Sequence, residues 1–507
     1  MSSARRQLRQ LRRHVVPAWW RDAKLGIFVH WTPASVPAFA PTDVEIGDLL
    51  TSDDPAALSR APYSEWYENS LRFPDSPVAR HHAATYGDRP YTAFAADWEA
   101  GLDDWDPDDW AARFAATGAG YVVLVAKHSD GYCLWPTAVT NPNRSGWSCR
   151  RDVVGEMAEA VRGAGMRFGL YYCGGFDWSF EDRPIGTMGD VAAAVPQGAY
   201  PTYADAQVRE LIRRYRPSVL WGDVAWPGRA PDLWDLFAAY YAAVPDGVIN
   251  DRWLPWSPAL ARAIRSEPVR RAVAVGARRA ARRDGGLIPP KPPHFDVRTP
   301  EYTTFPHIEP TAWECVRGMD RSFGYNASST ADDLIGHDEL LWLLADTVAK
   351  GGNLLLNVGP RGVDATIPDE QLTRLQWLAD WLPAHGAAVL ATRPWVVAGD
   401  ATAEGRPLRY TARGSTVFAL VGGEPDPAAA GDADFPGGDP GVAPITLAEV
   451  EATPTTTVTT LAGDRLRWRS TPAGLQVDRP ATGRADDAAG GPSVVALHDV
   501  AARPRPG

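Results

Sequence analysis

The sequence predicts an α/β protein, a (β/α)8-like TIM barrel followed by a smaller antiparallel β-sandwich, and three observations carry that expectation. Strand-like apolar runs, each followed by a helical pattern, recur through the first three quarters of the chain, which is the alternation of a parallel sheet with its crossover helices. The 507 residues exceed one ordinary domain and fit a barrel of about 250 to 400 residues with a smaller partner. After about Ala387 the pattern changes to short β-prone runs (PLRYTARGSTVFALVG, TTTVTTLAG, LRWRS, SVVALHDV) separated by Gly, Pro and Asp, as in an antiparallel sandwich. The expected domains are residues 1–386 for the barrel and 387–507 for the sandwich.

Taken in order, the N-terminus MSSARRQLRQLRRHVVPAWW has basic residues but no apolar run of about 7 to 15 residues, so it is not a signal peptide. It reads as a solvated amphipathic helix. No segment of about 18 apolar residues is present to span a membrane, and a cytoplasmic location with no membrane partner is expected. Strands are expected at Leu25 to Trp31, Tyr121 to Lys127, Arg167 to Cys173, Val219 to Asp223, Val248 to Trp253 and Asn353 to Val358, with two more near Phe295 to Tyr302 and Trp313 to Arg317. Helical patterns cover Trp110 to Thr117, Asp152 to Arg162, Ala204 to Tyr215, Leu233 to Ala243 and Asp338 to Ala349. A last barrel helix opens on Pro368 with an acidic turn and is stopped by Gly386, a sound start signal. Gly422 to Gly441 reads as a mobile loop, and the chain from Ala501 is expected to fray.

Composition excludes some functions. A net charge of -11 argues against a nucleic-acid partner. Cys133, Cys149, Cys173 and Cys315 form neither a disulfide framework nor a CxxC pattern, and reduced, partly buried thiols are expected. The 21 Trp and 16 Tyr suit a sugar-binding site, because aromatic faces stack on the C–H faces of sugar rings, although large barrels also bury many aromatics. Between Ser257 and Lys291 eight arginines stand against Glu267 and Asp284 alone, and the segment ends in IPPKPPH. Charge runs of this kind are ordinarily a solvated helix and linker. Its place between Arg252 and Glu301 would put it at the catalytic rim, where its arginines would meet anionic or extended leaving groups.

Three short stretches look like a glycosidase reaction centre: VLWGD ending on Asp223, NDRW holding Arg252, and RTPEY holding Glu301. Asp223 follows an apolar run, as a carboxylate does at the C-terminal end of a buried parallel strand, where barrels keep their chemistry. Only a fold that brings distant strand ends together could pair Asp223 with Glu301, and such pairs cleave glycosidic bonds. An Asp here could instead cap the following helix or turn, and Arg252 could serve a salt bridge to Asp251 or another barrel carboxylate.

These stretches belong to an ordered set: WWRDAKLGIFVHW, YSEWY, AKHSDGYCLWPT, FGLYYCGGFDWSF, VLWGDVAWP, INDRW, RSFGYN and VAKGGNLLLNVGP. Together they resemble the α-L-fucosidases of glycoside hydrolase family 29, from Trp19 to Trp395. The resemblance implies a retaining, exo-acting hydrolase of terminal α-L-fucosyl linkages, with a fucosylated glycan or fucoside as substrate and no metal or other cofactor. It makes Asp223 the nucleophile and Glu301 the acid/base. Glu65 in YSEWY is the rival acid/base. It resembles a residue binding sugar hydroxyls, and both glutamates meet the electrostatic condition that a neighbouring anion keeps one carboxyl protonated; the match favours Glu301. His30 and His128 align with histidines bonded to sugar hydroxyls, Arg252 would donate to a hydroxyl or orient the nucleophile, and Trp66, Tyr171 and Trp221 match further pocket residues. Phe28, Tyr63 and Phe323 align with aromatics that contact the fucose methyl.

The chain departs from the family where Ser129 stands for a second histidine after His128, and where Thr32 follows HW in place of Gly. Two other classes compete. A metal-dependent barrel hydrolase could use His30 and His128, though no HxH, HExxH or Cys/His cluster completes a site. A catalytically silent carbohydrate-binding protein would need only the sandwich and the aromatics. The oligomeric state, a homo-oligomer included, is open.

Overall fold

The computed structural model describes residues 3–284, 288, 290–423, 444–478 and 490–503. Seven strands form one sheet: β1 (Leu25–Val29), β2 (Tyr121–Lys127), β3 (Arg167–Cys173), β4 (Val219–Asp223), β5 (Val248–Ile249), β6 (Trp313–Arg317) and β7 (Gly352–Val358). Their order is β5-β4-β3-β2-β1-β7-β6, and every pair is parallel. The open edges β5 and β6 are joined by the stretch from Val297 to Glu301, which makes parallel bridges Asn250↔Val297 on one side and Arg298↔Trp313 and Glu301↔Val316 on the other. The expected strand near Phe295 to Tyr302 is thus a run of single bridges that closes the ring, and the segment bearing Glu301 is its eighth stave.

Alternation along the strands divides the interior from the outer layer. Phe28, Tyr121, Val123, Val125, Tyr171, Val219, Trp221 and Leu355 belong to one cluster inside the ring. Their neighbours Ile27, Val29, Val122, Leu124, Leu170, Tyr172, Leu220, Leu354 and Leu356 pack outward beneath the helices. Strands buried on both faces read as continuous apolar runs, which is why β2 and β4 match their expected limits. The helices that cover them start on good signals: Asp106 accepts from the backbone of Asp108 and Asp109, and Asp152 from that of Gly155, satisfying N–H groups that no helix can satisfy itself.

Val248 to Trp253 departs from expectation. Regular pairing stops at Ile249, because the side chain of Asn250 takes over from the backbone, accepting from Gly222 N at 2.8 Å and donating to Gly222 O at 2.9 Å. Gly222 is needed there, since a Cβ on it would lie 2.3 Å from the Trp253 ring.

The Arg-rich segment forms two helices, Pro258–Ile264 and Glu267–Asp284. The second packs on two short rim helices, Ile46–Thr51 and Met188–Ala193. Three of its arginines are engaged at the rim. Arg270 pairs with Asp190 at 3.3 Å, Arg278 with Asp53 at 3.2 Å, and Arg282 donates to the Thr51 carbonyl at 3.1 Å, while Arg265 just before it pairs with Glu181 at 3.1 Å. The expected solvated helix is present, with Arg271, Arg279, Arg282 and Arg283 exposed; what differs from a simple linker is that its other face braces the rim.

Beyond Arg393, antiparallel sheets of five and three strands pack face to face around Leu408, Tyr410, Val417, Ala419, Val421, Ile445, Leu475 and Leu497. The strand Thr416–Val421 is buried on both sides, with Phe418 and Leu420 joining the large cluster of the barrel layer. Ala501 and Ala502, expected to fray, pair with Glu451 and Val450. Of the loop expected at Gly422 to Gly441, residues 424–441 lie outside the described residues. The four cysteines are buried and unbonded, and no helix among the described residues is long and apolar enough to cross a membrane.

Candidate active site

The C-terminal ends of the strands open into a cavity of about 200 Å³, lined by all twelve residues singled out from the sequence: Phe28, His30, Tyr63, Glu65, Trp66, His128, Tyr171, Trp221, Asp223, Arg252, Glu301 and Phe323. Asp223 ends β4. Its Oδ1 accepts from Arg252 Nη1 at 3.1 Å and from Val224 N at 2.8 Å, and its Oδ2 from the Tyr171 hydroxyl at 2.7 Å. Tyr171 faces the cavity while Tyr172 donates to Gln207 outside the ring, as strand alternation requires.

Arg252 joins the two carboxylates. The same Nη1 lies 2.7 Å from Glu301 Oε1, its Nε donates to Thr299 Oγ1 at 3.0 Å and its Nη2 to the Thr299 carbonyl at 2.9 Å. Thr299 is held in turn by Asp251 Oδ1, which accepts from the Thr299 hydroxyl at 2.7 Å and its N–H at 3.1 Å. The NDRW motif therefore works residue by residue: Asn250 extends β4, Asp251 fixes the RTPEY stave, Arg252 spans the carboxylates, and Trp253 packs on Gly222. Of the alternative, a salt bridge to Asp251 or another barrel carboxylate, the second form is what the structure has: Arg252 pairs with Asp223 and Glu301 and not with Asp251. Burial opposes the arginine's charge, but Glu301 and Asp223 outweigh it and raise its pKa. Burial also raises the Glu301 pKa, Arg252 opposes the shift, and the Asp223 charge adds to it.

Both carboxylates precede a residue with left-handed backbone, Val224 at φ 66° and Tyr302 at φ 51°. For a β-branched valine this is a genuine outlier, and such strain gathers at functional sites. It turns the chain sharply away from each carboxylate, a feature no residue pattern announces.

Across the cavity stands a second group. The ligand atoms of His30, Glu65 and His128 lie within 4.8 Å of one another, the donor set among the described residues that could hold a metal ion. His30 Nδ1 is 2.5 Å from Asn357 Oδ1, which orients the ring. Burial pushes both histidines down to about 3, so each is neutral at pH 7, with one nitrogen to donate and one to accept. That suits hydroxyl groups, which do both. Burial pushes Glu65 up to about 7, and its Oε2 lies 3.5 Å from the Ser64 and Ser322 hydroxyls. His128 Nδ1 and the Tyr63 hydroxyl are buried with no hydrogen-bond partner among the described residues. Phe323 lies tilted against His30 (5.1 Å) and Tyr63 (5.5 Å), and Phe28 lies edge-on to His30 (4.5 Å) and tilted to Trp221 (5.2 Å).

Ser129, the departure from the family pattern, does not line the cavity: it is buried with its Oγ 3.5 Å from Cys173 Sγ. Sequence reasoning missed Glu314, which holds Trp221 Nε1 at 2.9 Å and the Tyr121 hydroxyl at 2.6 Å, beneath the Arg252 guanidinium that lies 4.8 Å over the Trp221 ring. A glutamate in WECVR carries no signal of partners so far away in the chain.

A family model described as Alpha-L-fucosidase matches residues 2–387. Rat tissue α-L-fucosidase is 28% identical over 415 residues, covering 80% of this chain and 76% of its own. The Thermotoga maritima α-fucosidase structure in complex with fucose superposes with a TM-score of 0.77 at 34% identity, covering 96% of this chain and 98% of that one. Its complex with a mechanism-based inhibitor gives 0.77 at 35%, covering 97% and 98%. With the parallel barrel, the paired carboxylates and a family model that matches most of the chain, the protein belongs to the α-L-fucosidase family of glycoside hydrolases.

Proposed function

We propose that the protein is a retaining, exo-acting α-L-fucosidase in which Asp223 is the nucleophile and Glu301 the acid/base. The observation that carries this is the bridging arginine. Two carboxylate oxygens bonded to one nitrogen at 3.1 and 2.7 Å are at most about 6 Å apart, short of the roughly 6.5 to 9.5 Å that an inverting pair needs to admit water. In the first step an Asp223 oxygen bonds to the anomeric carbon as the glycosidic C–O bond breaks, and Glu301 gives its proton to the leaving oxygen. In the second, Glu301 takes a proton from water as that water bonds to the anomeric carbon and Asp223 leaves. Glu65 sits with the neutral histidines, not with Arg252, which favours a hydroxyl-binding role for it. Phe28, Tyr63 and Phe323 would meet the sugar's methyl, and such an apolar wall discriminates against a hydroxylated analogue only modestly.

The test is stereochemical. Proton NMR of an aryl α-L-fucoside digest should show the α-anomer of fucose first, and Asp223→Gly with azide should yield the inverted β-fucosyl azide. A β-anomer as first product would remove the retaining reading. The His30, Glu65 and His128 donors favour a metal-dependent hydrolase as the second reading, and full activity after dialysis against a chelator would dismiss it.

A further inference from the structure

We infer that the leaving-group side of this site is built for an apolar aglycone, an alkyl or aryl group, in place of a further sugar. The inference rests on the fucosidase reading and names its substrate class. Beyond the strand ends, where the sugar-binding groups lie, the cavity wall is made by Ile46 and Leu50 of one rim helix, Leu58 of the turn after it, Met188 and Val191 of the second rim helix, and Leu254 two residues past Arg252. These segments follow β1, β3 and β5 at their C-terminal ends, so they stand above the carboxylates. The floor is closed by the buried strand ends, and a group attached to the anomeric carbon leaves past this wall. Among the described lining residues outside the twelve named above, Asp251 alone bears a hydrogen-bonding side chain, and it is committed to Thr299 at the floor. A sugar leaving group would lose hydration of its hydroxyls against such a wall without replacement bonds, a net cost. Hydrocarbon would gain by burial.

Polar groups of this rim meet the Arg-rich helix. Asp190, Asp53 and the Thr51 carbonyl, all on or beside the rim helices, are held by Arg270, Arg278 and Arg282 of the helix behind them. Ile46, Met188 and Val191 meanwhile pack with Leu50 and Leu58 on one apolar cluster. The Arg-rich insertion thus braces an apolar wall.

The experiment compares methyl, butyl and octyl α-L-fucoside with a fucosyl-galactose disaccharide. The three alcohols have nearly equal acidity, so the bond-breaking step is matched and differences along the series report contact with the wall. The expected result is a rise in kcat/KM of about tenfold or more from methyl to octyl, with the disaccharide below octyl fucoside although its leaving oxygen is the more acidic. Met188→Gln, at a half-buried position, should shrink the octyl-to-methyl ratio severalfold, and a circular-dichroism melt checks that it folds. A flat series with methyl fucoside turned over, or a disaccharide preferred to octyl fucoside, overturns the apolar aglycone alone. Failure to turn over any fucoside overturns the underlying reading and the inference with it.

Discussion

Arg252 carries more of this site than its motif announces, because one guanidinium nitrogen touches both carboxylates while the rest of the group is fixed by Thr299. A buried cation beside Glu301 favours its ionised form and so opposes the burial and the Asp223 charge that raise its pKa. Replacing Arg252 by Gln removes that opposition. The Glu301 pKa should then rise further, the proton stay on to higher pH, and the basic limb of the kcat/KM profile move upward, alongside a loss of about 10² to 10⁴ in rate from misplaced carboxylates. A basic limb that stays put or moves down in a pH-rate profile would mean another group sets it. Glu301→Ala probes the proposed acid. It should slow substrates with poor leaving groups by about 10² to 10⁴ and activated aryl fucosides far less; equal loss on both, with Glu65→Ala selective, would transfer the role to Glu65.

Individual elements were legible in proportion to how local their causes are. β2, β3 and β4 occupy their expected limits because burial on both faces leaves an unbroken apolar run. The end of β5 was not so readable, since the side chain of Asn250 takes over the pairing with Gly222, and a side-chain substitute leaves no period in the sequence. The Val297 to Glu301 stave, expected as a strand, pairs through its backbone with both edges by single bridges. The cavity residues were legible through motifs, whereas Glu314 was not, because its partners Tyr121 and Trp221 lie on two other strands. Glu314 ties β6 to β2 and β4 and is pushed up to about 7 by burial, its hydrogen bonds opposing. A carboxyl whose folded pKa exceeds its unfolded value near 4.5 contributes stability that is full below about 4.5 and lost as pH rises toward 7. Glu314→Gln mimics the protonated form and should lack this decline. Its melting temperature should match the wild type near pH 5 and exceed it by several degrees at pH 8, reflecting up to about 3 kcal/mol; parallel melting curves at both pH values would contradict the linkage.

Across the whole molecule, the sandwich and the catalytic cavity are joined only indirectly among the described residues. Every lining residue falls between Phe28 and Phe323, while the sandwich meets the barrel through the helix His337–Ala349, where Arg409 pairs with Asp346 at 2.6 Å and lies 5.3 Å over the Trp342 ring. Leu420 is fully buried on the barrel side of its strand, so it stabilises this seam by removing apolar surface from water. Leu420→Ala should cost about 2 to 5 kcal/mol and lower the melting temperature. Below the transition, kcat and KM on an aryl fucoside should remain those of the wild type, because nothing between the seam and the strand ends is asked to move. Melting curves paired with kinetics at 25 °C check both halves, and an altered KM in a protein still folded at that temperature would show that the sandwich shapes the site.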